Sequence, residues 1–580
     1  MLSLDNKKTY QDILDNLNKK IRMFSLVRGI LFIGFIIFLI TFFTTNYNFI
    51  HLYVSISLLL AFIIFIVVTK KYYVDRKYYE NIVFEFNRHE FRRDSKFNNA
   101  KYFFDKGNDF KRKYQRNSLR DKYLIEDIDI FGNNSLYQNM SSAHSVLGRN
   151  LVADSIIHGE KYFDERNQNK FSEKVNKLGN DERLILVNSA LAFNKVEDSI
   201  DYDTYLDNLS MKFSIDKKRK LGLLLVLLID IFVLVLSLTV FSPFLLMLIP
   251  IINIYYSFQL RDEIDLINST NMYFSIENNL KVIKYLSKID LKDLNIDIDF
   301  SHDLKMLKRL IFLWQFLSYK NNFIFKLIFN CVYCFDGLFQ MLYNKLIPSK
   351  DSIASCLNKI ADLEVISSYA NLVSDYETCM PSVSEKLEFT DLVNPLVKNC
   401  VSNSFTYNRG VVLTGSNMSG KTTFMRTIAI NLLIFSGGGL PLASSFSSKV
   451  YKLYTSLRIK DEMSEGVSTF YAEIEKIREM LAKEENNKLC LIDEIFKGTN
   501  TLDRVYGATK LIEKLQKENY DFFISTHDFE LCNIETIDNY HFNEHFNEDY
   551  TQIYFDYKIE NGKSRSTNAI FLLKSSGIID

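Results

Sequence analysis

Four apolar runs, set out as two close pairs, constrain this chain more than anything else in it. Val27 to Phe43 and Phe49 to Thr69 are joined by the uncharged stretch Thr44-Thr45-Asn46-Tyr47-Asn48; Leu221 to Val240 and Phe244 to Phe258 are joined through Ser242-Pro243. A bilayer core is crossed by roughly 20 apolar helical residues, and a helix satisfies its own backbone hydrogen bonds there. Each pair therefore reads as a transmembrane hairpin. Lys19, Lys20, Arg22 and Arg28 precede or open the first run, and Lys70, Lys71, Arg76 and Lys77 follow the second. Lys217-Lys218-Arg219-Lys220 and Arg261 bracket the second pair in the same way, so both hairpins return the chain to the cytoplasmic side. A cleaved signal peptide is the competing reading of the first run, but a second span follows it and no small-residue cleavage site is seen. Asp230 interrupts the third run at a cost of about 3 kcal/mol, which nine leucines at roughly 0.5 kcal/mol each offset. A polar contact with Asn253 across the hairpin is the simpler role for Asp230, a proton or helix-pairing site the alternative.

The remainder has to fold in water. At 580 residues it exceeds a single compact core, and 47% hydrophobic with 24% charged residues excludes a disordered or fibrous chain. Only 20 Gly and 6 Pro occur, which favours long helices. The 70 basic and 70 acidic residues cancel, so any nucleic-acid surface must be local. Seven cysteines, an odd number scattered along a large chain, fit a reducing compartment. Lys111-Arg112-Lys113, Arg116, Arg120 and Lys122, interleaved with Phe110 and Tyr114, suit phosphates of nucleic acid or inner-leaflet lipid and equally a solvated helix face. Leu310 to Leu317 and Phe323 to Phe335 read as amphipathic soluble helices packing on each other. Cys331 and Cys334 have metal-ligand spacing, but no second pair or nearby His completes a tetrahedral site, so they read as core thiols.

The chemistry lies in the last third. Val411 to Thr414 reads as a buried strand delivering Gly415-Ser416-Asn417-Met418-Ser419-Gly420-Lys421-Thr422-Thr423, a full Gly-x4-Gly-Lys-Thr phosphate loop. Terminal glycines let such a loop curl until its N–H groups face phosphates. Lys421 then meets the β and γ oxygens, Thr422 holds Mg²⁺, and the following helix presents its positive end. Leu489 to Ile492 is an apolar strand ending in Asp493, expected to position the metal, and Glu494, expected to act as general base. A third strand, Asp521 to Ser525, ends at Thr526-His527-Asp528, where His527 is expected to reach the γ-phosphate. ATP and Mg²⁺ are the expected cofactors.

The segments Thr414 to Arg426, Asp493 to Asp503, Ser525 to Leu531 and Lys460 to Glu473 resemble, in order, four motifs of the MutS mismatch-repair ATPases. Tyr557 to Ser566 is similar to that family's last strand and turn. Upstream, Asp129 to Gln138 with Leu147-Gly148-Arg149 resembles the start of its helical lever, and Ala361 to Val365 the helix returning to the ATPase. The resemblance implies an α/β phosphate-loop ATPase of MutS/ABC type, preceded by an all-α lever region that two transmembrane hairpins interrupt. The expected segments are a cytoplasmic N-terminus (1–25), a hairpin (26–70), a cytoplasmic helical region beginning the MutS-like core (71–215), a second hairpin (216–260), a helical lever (261–385) and the ATPase domain (386–580). It also implies a homodimer with composite nucleotide sites, in which Asn417, Lys421, Thr422, Asp493, Glu494 and His527 act in cis and Ser468 reaches the partner's γ-phosphate.

The departures matter too. The family's N-terminal mismatch reader with its Phe-x-Glu wedge is replaced by membrane spans, and Phe163-Asp164-Glu165 falls too late to be that wedge. Cys400 stands where the family stacks an aromatic on adenine. The expectation is an integral membrane protein with a cytoplasmic ATPase, acting on double-stranded DNA. A nucleotide-switched membrane scaffold that leaves DNA alone is the alternative. An ABC-type transporter half is disfavoured, since two separated hairpins offer little pathway and no Leu-Ser-Gly-Gly-Gln precedes Asp493.

Overall fold

A computed structural model describes residues 4–45, 47, 49–93, 105–194, 202–240, 243–259, 266–320, 327–330, 333–416, 418–458, 469–482, 486–496, 499–546 and 553–563. The chain packs as two units, one made of Met1–Ser142, Asn150–Asn188 and Val365–Asp580, the other of Ala143–Arg149 and Ser189–Glu364.

The low Gly and Pro content is expressed as length. In the first unit the opening helices run Leu4–Thr44 and Phe49–Arg93, 41 and 45 residues. They pack along each other through rings such as Phe32 and Phe62, 5.4 Å apart, and Phe24 and Tyr72, 5.2 Å apart. Ile30, Ile33, Ile37 and Ile40 stay exposed on the outer face. Among the described residues, three helices are long and apolar enough to cross a membrane: Asn6–Thr44, Phe49–Arg93 and Lys217–Thr239. The fourth expected span is a shorter apolar helix, Phe244–Ser257. It is entered through a 3₁₀ turn at Pro243–Met247, where proline fixes φ and removes a donor.

The last three turns of the 45-residue helix are charged yet buried. His89 lies 2.9 Å from Asp375, and Arg92 lies 3.5 Å from the other carboxylate oxygen, with both partners of the second pair 1% exposed. Asp375 ends the 26-residue helix Lys350–Asp375.

The C-terminal part of this unit holds two sheets. A four-stranded sheet orders β1 (Ser382–Val383), β5 (Ser445–Ser448), β2 (Glu388–Leu392) and β3 (Asn403–Thr406). A six-stranded sheet orders β10 (Ile553–Asn561), β9 (Asp538–Phe546), β4 (Val411–Thr414), β8 (Asp521–Ser525), β7 (Lys488–Ile492) and β6 (Lys452–Ser456). Within the larger sheet β9, β4, β8, β7 and β6 are parallel, and β10 pairs antiparallel on β9. Strands covered on both faces read as unbroken apolar runs, and β4 and β7 are buried at every position. The register Leu413–Ser525 and Ile492–Ile524 brings the carboxyl ends of β4, β8 and β7 to one edge.

The basic stretch folds as the helix Asn108–Asn117 and the start of Leu119–Ile128. Phe110 and Tyr114 turn into the core against Phe131, at 5.9 and 6.2 Å, so they are not free to stack on bases. Arg120 is buried too, donating to the Leu453 carbonyl at 3.0 Å and to Glu160 at 2.9 Å. Arg112, Lys113 and Arg116 remain exposed.

The second unit is helical throughout its described residues. Asn253 donates to Asp230 at 3.1 Å, the contact expected from sequence. Cys334 is buried beside Leu223 and Val226, as a core thiol, whereas Cys331 lies outside the described residues. Leu147-Gly148-Arg149 and Ala361 to Glu364, each part of a segment that resembles the MutS lever, come together here. The Glu364 carboxylate accepts the N–H groups of His144, at 2.9 Å, and of Ser145, at 2.8 Å, and the Ser145 hydroxyl. Gly148 is required at that contact, since a Cβ would fall 1.8 Å from a Glu364 oxygen. Burial pushes the Glu364 carboxyl up to about 7 against these hydrogen bonds.

Candidate nucleotide site

The loop after β4 turns on three left-handed residues, Gly415 (φ 140°), Met418 (φ 72°) and Gly420 (φ 112°). A Cβ on Gly415 would meet the Phe542 carbonyl oxygen at 2.7 Å, so glycine is needed there for space as well as for φ. Gly420 caps the helix Lys421–Ser436, which points its N-terminus into the loop. The Lys421 ammonium is buried and donates to the carbonyls of Gly415, at 2.8 Å, and Ser416, at 2.9 Å. The Ser416 and Ser419 hydroxyls are buried without a hydrogen-bond partner among the described residues. Asn417 lies outside the described residues.

Asp493 leaves the end of β7 and accepts two hydroxyls, Thr422 on one oxygen and Ser525, from the end of β8, on the other. Glu494 adopts a left-handed backbone (φ 49°), and its N–H donates to the Ser525 carbonyl at 3.1 Å. This conformation is costly for a residue with a side chain, by about 1 kcal/mol. It brings the Glu494 carboxylate 3.2 Å from His527 Nε2. Arg504 grips the neighbouring Asp528 with two hydrogen bonds of 2.6 Å, fixing the turn that carries His527. Three of the sequence-predicted groups therefore converge from three strand ends, and Lys421, Thr422 and Thr423 line the same cleft as Glu494.

This cleft has a volume of about 500 Å³. Sequence reasoning missed part of its wall: Val397, Asn403, Phe542 and Tyr557. Tyr557, with φ 55° and 45% exposure, supplies an aromatic face, and its carbonyl is held by the Asn403 amide at 3.0 Å. The only sequence signal for it was its place at the start of the segment resembling the family's last strand. Cys400 also lines the cleft, and burial pushes its thiol up, keeping it neutral. An aromatic is thus present, delivered from β10 rather than from the strand before the loop.

A second set of charges, also missed, surrounds the root of 459–468. The Asp127 carboxylate accepts the N–H groups of Leu457, at 2.9 Å, and Arg458, at 3.1 Å. Arg458 forks onto Asp129 at 2.7 and 2.5 Å, and Arg426, from the helix after the loop, lies 3.6 Å from the same carboxylate. Burial and then the nearby Arg458 lower the Arg426 pKa. Ser468 lies outside the described residues. The run Glu126-Asp127-Ile128-Asp129 carried this signal, unread for want of partners in sequence.

Oxygen ligands, a buried lysine and unpartnered hydroxyls fit a Mg²⁺-bound phosphate chain. Mg²⁺ takes one or two protein oxygens and completes its shell with phosphate and water, which Thr422 and Asp493 would allow. Among the described residues no group of three or more His, Cys, Asp and Glu is placed to hold a metal by itself.

Residues 411–578 match the family model of MutS domain V. Over these residues the chain is similar to the MutS family. The DNA mismatch repair protein MutS of Chlamydia trachomatis serovar L2b is 28% identical over 260 residues, 41% of this chain and 32% of the relative. MutS of Fusobacterium nucleatum is 28% identical over 212 residues, 34% of this chain and 24% of the relative. The chain thus matches a third or less of the length of these relatives. MutS domain V here contains the glycine loop, both acids, His527 and Tyr557.

Proposed function

We propose that this protein is a membrane-anchored MutS-type ATPase that binds and hydrolyses ATP with Mg²⁺ in a homodimer, driving helical levers that act on double-stranded DNA. The observation that carries the reading is the meeting of Thr422, Asp493 and Ser525 behind a glycine loop that buries Lys421. On this reading Lys421 exchanges its two loop carbonyls for β and γ oxygens, while the loop N–H groups and the helix N-terminus stabilise the remaining charge. Thr422 and Asp493 hold Mg²⁺, which when bound offsets charge building on the phosphates. Glu494 orients the attacking water and takes its proton, and His527 steadies that carboxylate from 3.2 Å. Gly415 to Thr423 form the cradle, Tyr557 offers its ring to the base, and Asn417 and Ser468 keep the roles the resemblance implies, Ser468 across the dimer. The ATPase lies on the cytoplasmic side, and the three long apolar helices support a bilayer anchor.

DNA is the proposed target because the relatives carry the name of DNA mismatch repair proteins. The equal count of 70 basic and 70 acidic residues favours a second reading, a nucleotide-switched membrane scaffold that leaves DNA alone. One experiment separates them: ATPase activity of the detergent-solubilised full chain with and without duplex, mismatched and branched DNA, beside Glu494→Gln. Stimulation by DNA that the variant abolishes supports the DNA-directed engine. A basal rate indifferent to every DNA leaves the scaffold.

A further inference from the structure

The helix Phe335–Leu346 separates its residues cleanly. Asp336, Gly337, Phe339, Gln340 and Tyr343 are buried. Phe335, Leu338, Met341 and Leu342 are exposed by 36, 37, 37 and 54%. At 100° per residue these four fall within about 120° of arc, so they form one apolar stripe, with Lys345 continuing it in the last turn.

The buried side shows where this helix stands. Asp336 accepts the Ser257 hydroxyl, and a Cβ on Gly337 would fall 2.2 Å from a Leu223 methyl. Just before the helix, the Tyr333 hydroxyl donates to the Leu223 carbonyl at 3.1 Å. Leu223 comes three residues after Lys217-Lys218-Arg219-Lys220, and Ser257 ends the returning apolar helix. Both mark the cytoplasmic base of the second hairpin. The first turn of Phe335–Leu346 is therefore locked to the hairpin at the depth where hydrocarbon gives way to headgroups.

We propose that Phe335–Leu346 is an interfacial helix, lying on the inner leaflet with Phe335, Leu338, Met341 and Leu342 in the acyl–headgroup boundary. The occupant of the stripe is the bilayer that the hairpin enters, because the helix is tied to the charged base of a hairpin whose own Leu224, Leu227 and Leu228 are likewise exposed. A helix with one apolar face and a flanking cation settles about 5–10 Å into that boundary. Lys345 reaches out to anionic headgroups while its stem stays apolar. The run Leu310 to Leu317, expected to be a soluble amphipathic helix, lies in the helix Ser301–Lys320, whose Phe316 stacks on Phe339 at 4.2 Å on the buried side of Phe335–Leu346; most of the second expected run, Phe323 to Phe335, lies outside the described residues. The inference rests on the membrane-anchored reading, and its test is built to separate the two.

Trp314, the single tryptophan, is 1% exposed and is replaced by Phe. Leu342→Trp and Leu338→Trp are then made singly in the full chain, in vesicles of phosphatidylcholine and phosphatidylglycerol with acyl chains brominated either near the headgroup or deep in the core. Leu236→Trp reports the span and Lys305→Trp an exposed soluble position; parallel variants keep Trp314 as a constant background in case its loss disturbs folding. The expected result is loss of about half the emission at 342 and 338 with the shallow bromines, and less with the deep ones. At 236 the deep bromines should quench more, and at 305 neither should act. Quenching at 236 without quenching at 342 and 338 overturns the proposal and leaves the span intact, with a second copy or another protein covering the stripe. No quenching at 236, 338 or 342 overturns the membrane anchor and this proposal together.

Discussion

The candidate nucleotide cleft and the second hairpin both hold acids, the first in polar surroundings and the second in apolar ones, and they surround them with partners in different ways. In the cleft, Asp493 receives hydroxyls from two other elements, and Glu494 is held in a costly backbone conformation 3.2 Å from His527. In the hairpin, Asp230 has one hydrogen-bond partner among the described residues, Asn253, on the adjacent helix. The acids proposed to carry chemistry are oriented by several partners and strain, whereas the acid that pairs across the hairpin is held by one. The comparison teaches that the number and origin of an acid's partners separate a reactive carboxylate from a structural one.

Breaking the cleft should have the largest effect. Glu494→Gln is expected to lower ATP turnover about 100- to 10,000-fold while nucleotide affinity, measured by fluorescent-nucleotide titration, is kept. Loss of binding instead would make Glu494 part of the cradle. Next comes Asp375→Asn, which removes the carboxylate paired with the buried Arg92 and leaves Glu85 alone to offset its charge. Thermal and denaturant unfolding of the detergent-solubilised chain should show a loss of about 3–5 kcal/mol; an unchanged midpoint would mean that water reaches this cluster.

The hairpin side of the comparison is sharpened by Asp230→Leu. Removing the carboxylate should ease insertion of this segment by about 3 kcal/mol in a glycosylation-based insertion assay, with ATPase activity unaltered. An activity collapse would move Asp230 into the class of reactive acids. The smallest effect is a slope. Glu364 titrates near 7 in the folded chain against an ordinary 4.5, so between those values the native state holds a proton that the unfolded state has lost. Stability should therefore fall as pH rises through that window, by at most about 1.4 kcal/mol per pH unit. Glu364→Gln should flatten the profile in thermal melts from pH 4.5 to about 7.5.

What the sequence revealed follows the same division. The loop, the two acids and His527 were legible because each sits at a strand end, where spacing along the chain fixes position in space. The long apolar helices were legible because length and hydropathy are written in the runs themselves, although Pro243 shortened the fourth run in a way composition does not register. Tyr557, Asn403 and the Asp127–Asp129 grip on Arg458 were not legible, because their partners lie more than a hundred residues away. Glu364 falls between: the segments holding it and Gly148 resembled the lever, but only packing showed that one caps the other.

The 45-residue helix Phe49–Arg93 has a mechanical corollary. At 1.5 Å per residue it is a rod of about 67 Å, and its far end is clamped at Asp375, where the chain turns toward the C-terminal strands. A tilt of about 10° at the apolar end would swing an unclamped tip by roughly 12 Å. Held at Asp375, the rod must instead convert such a tilt into torque on the frame that carries the nucleotide cleft.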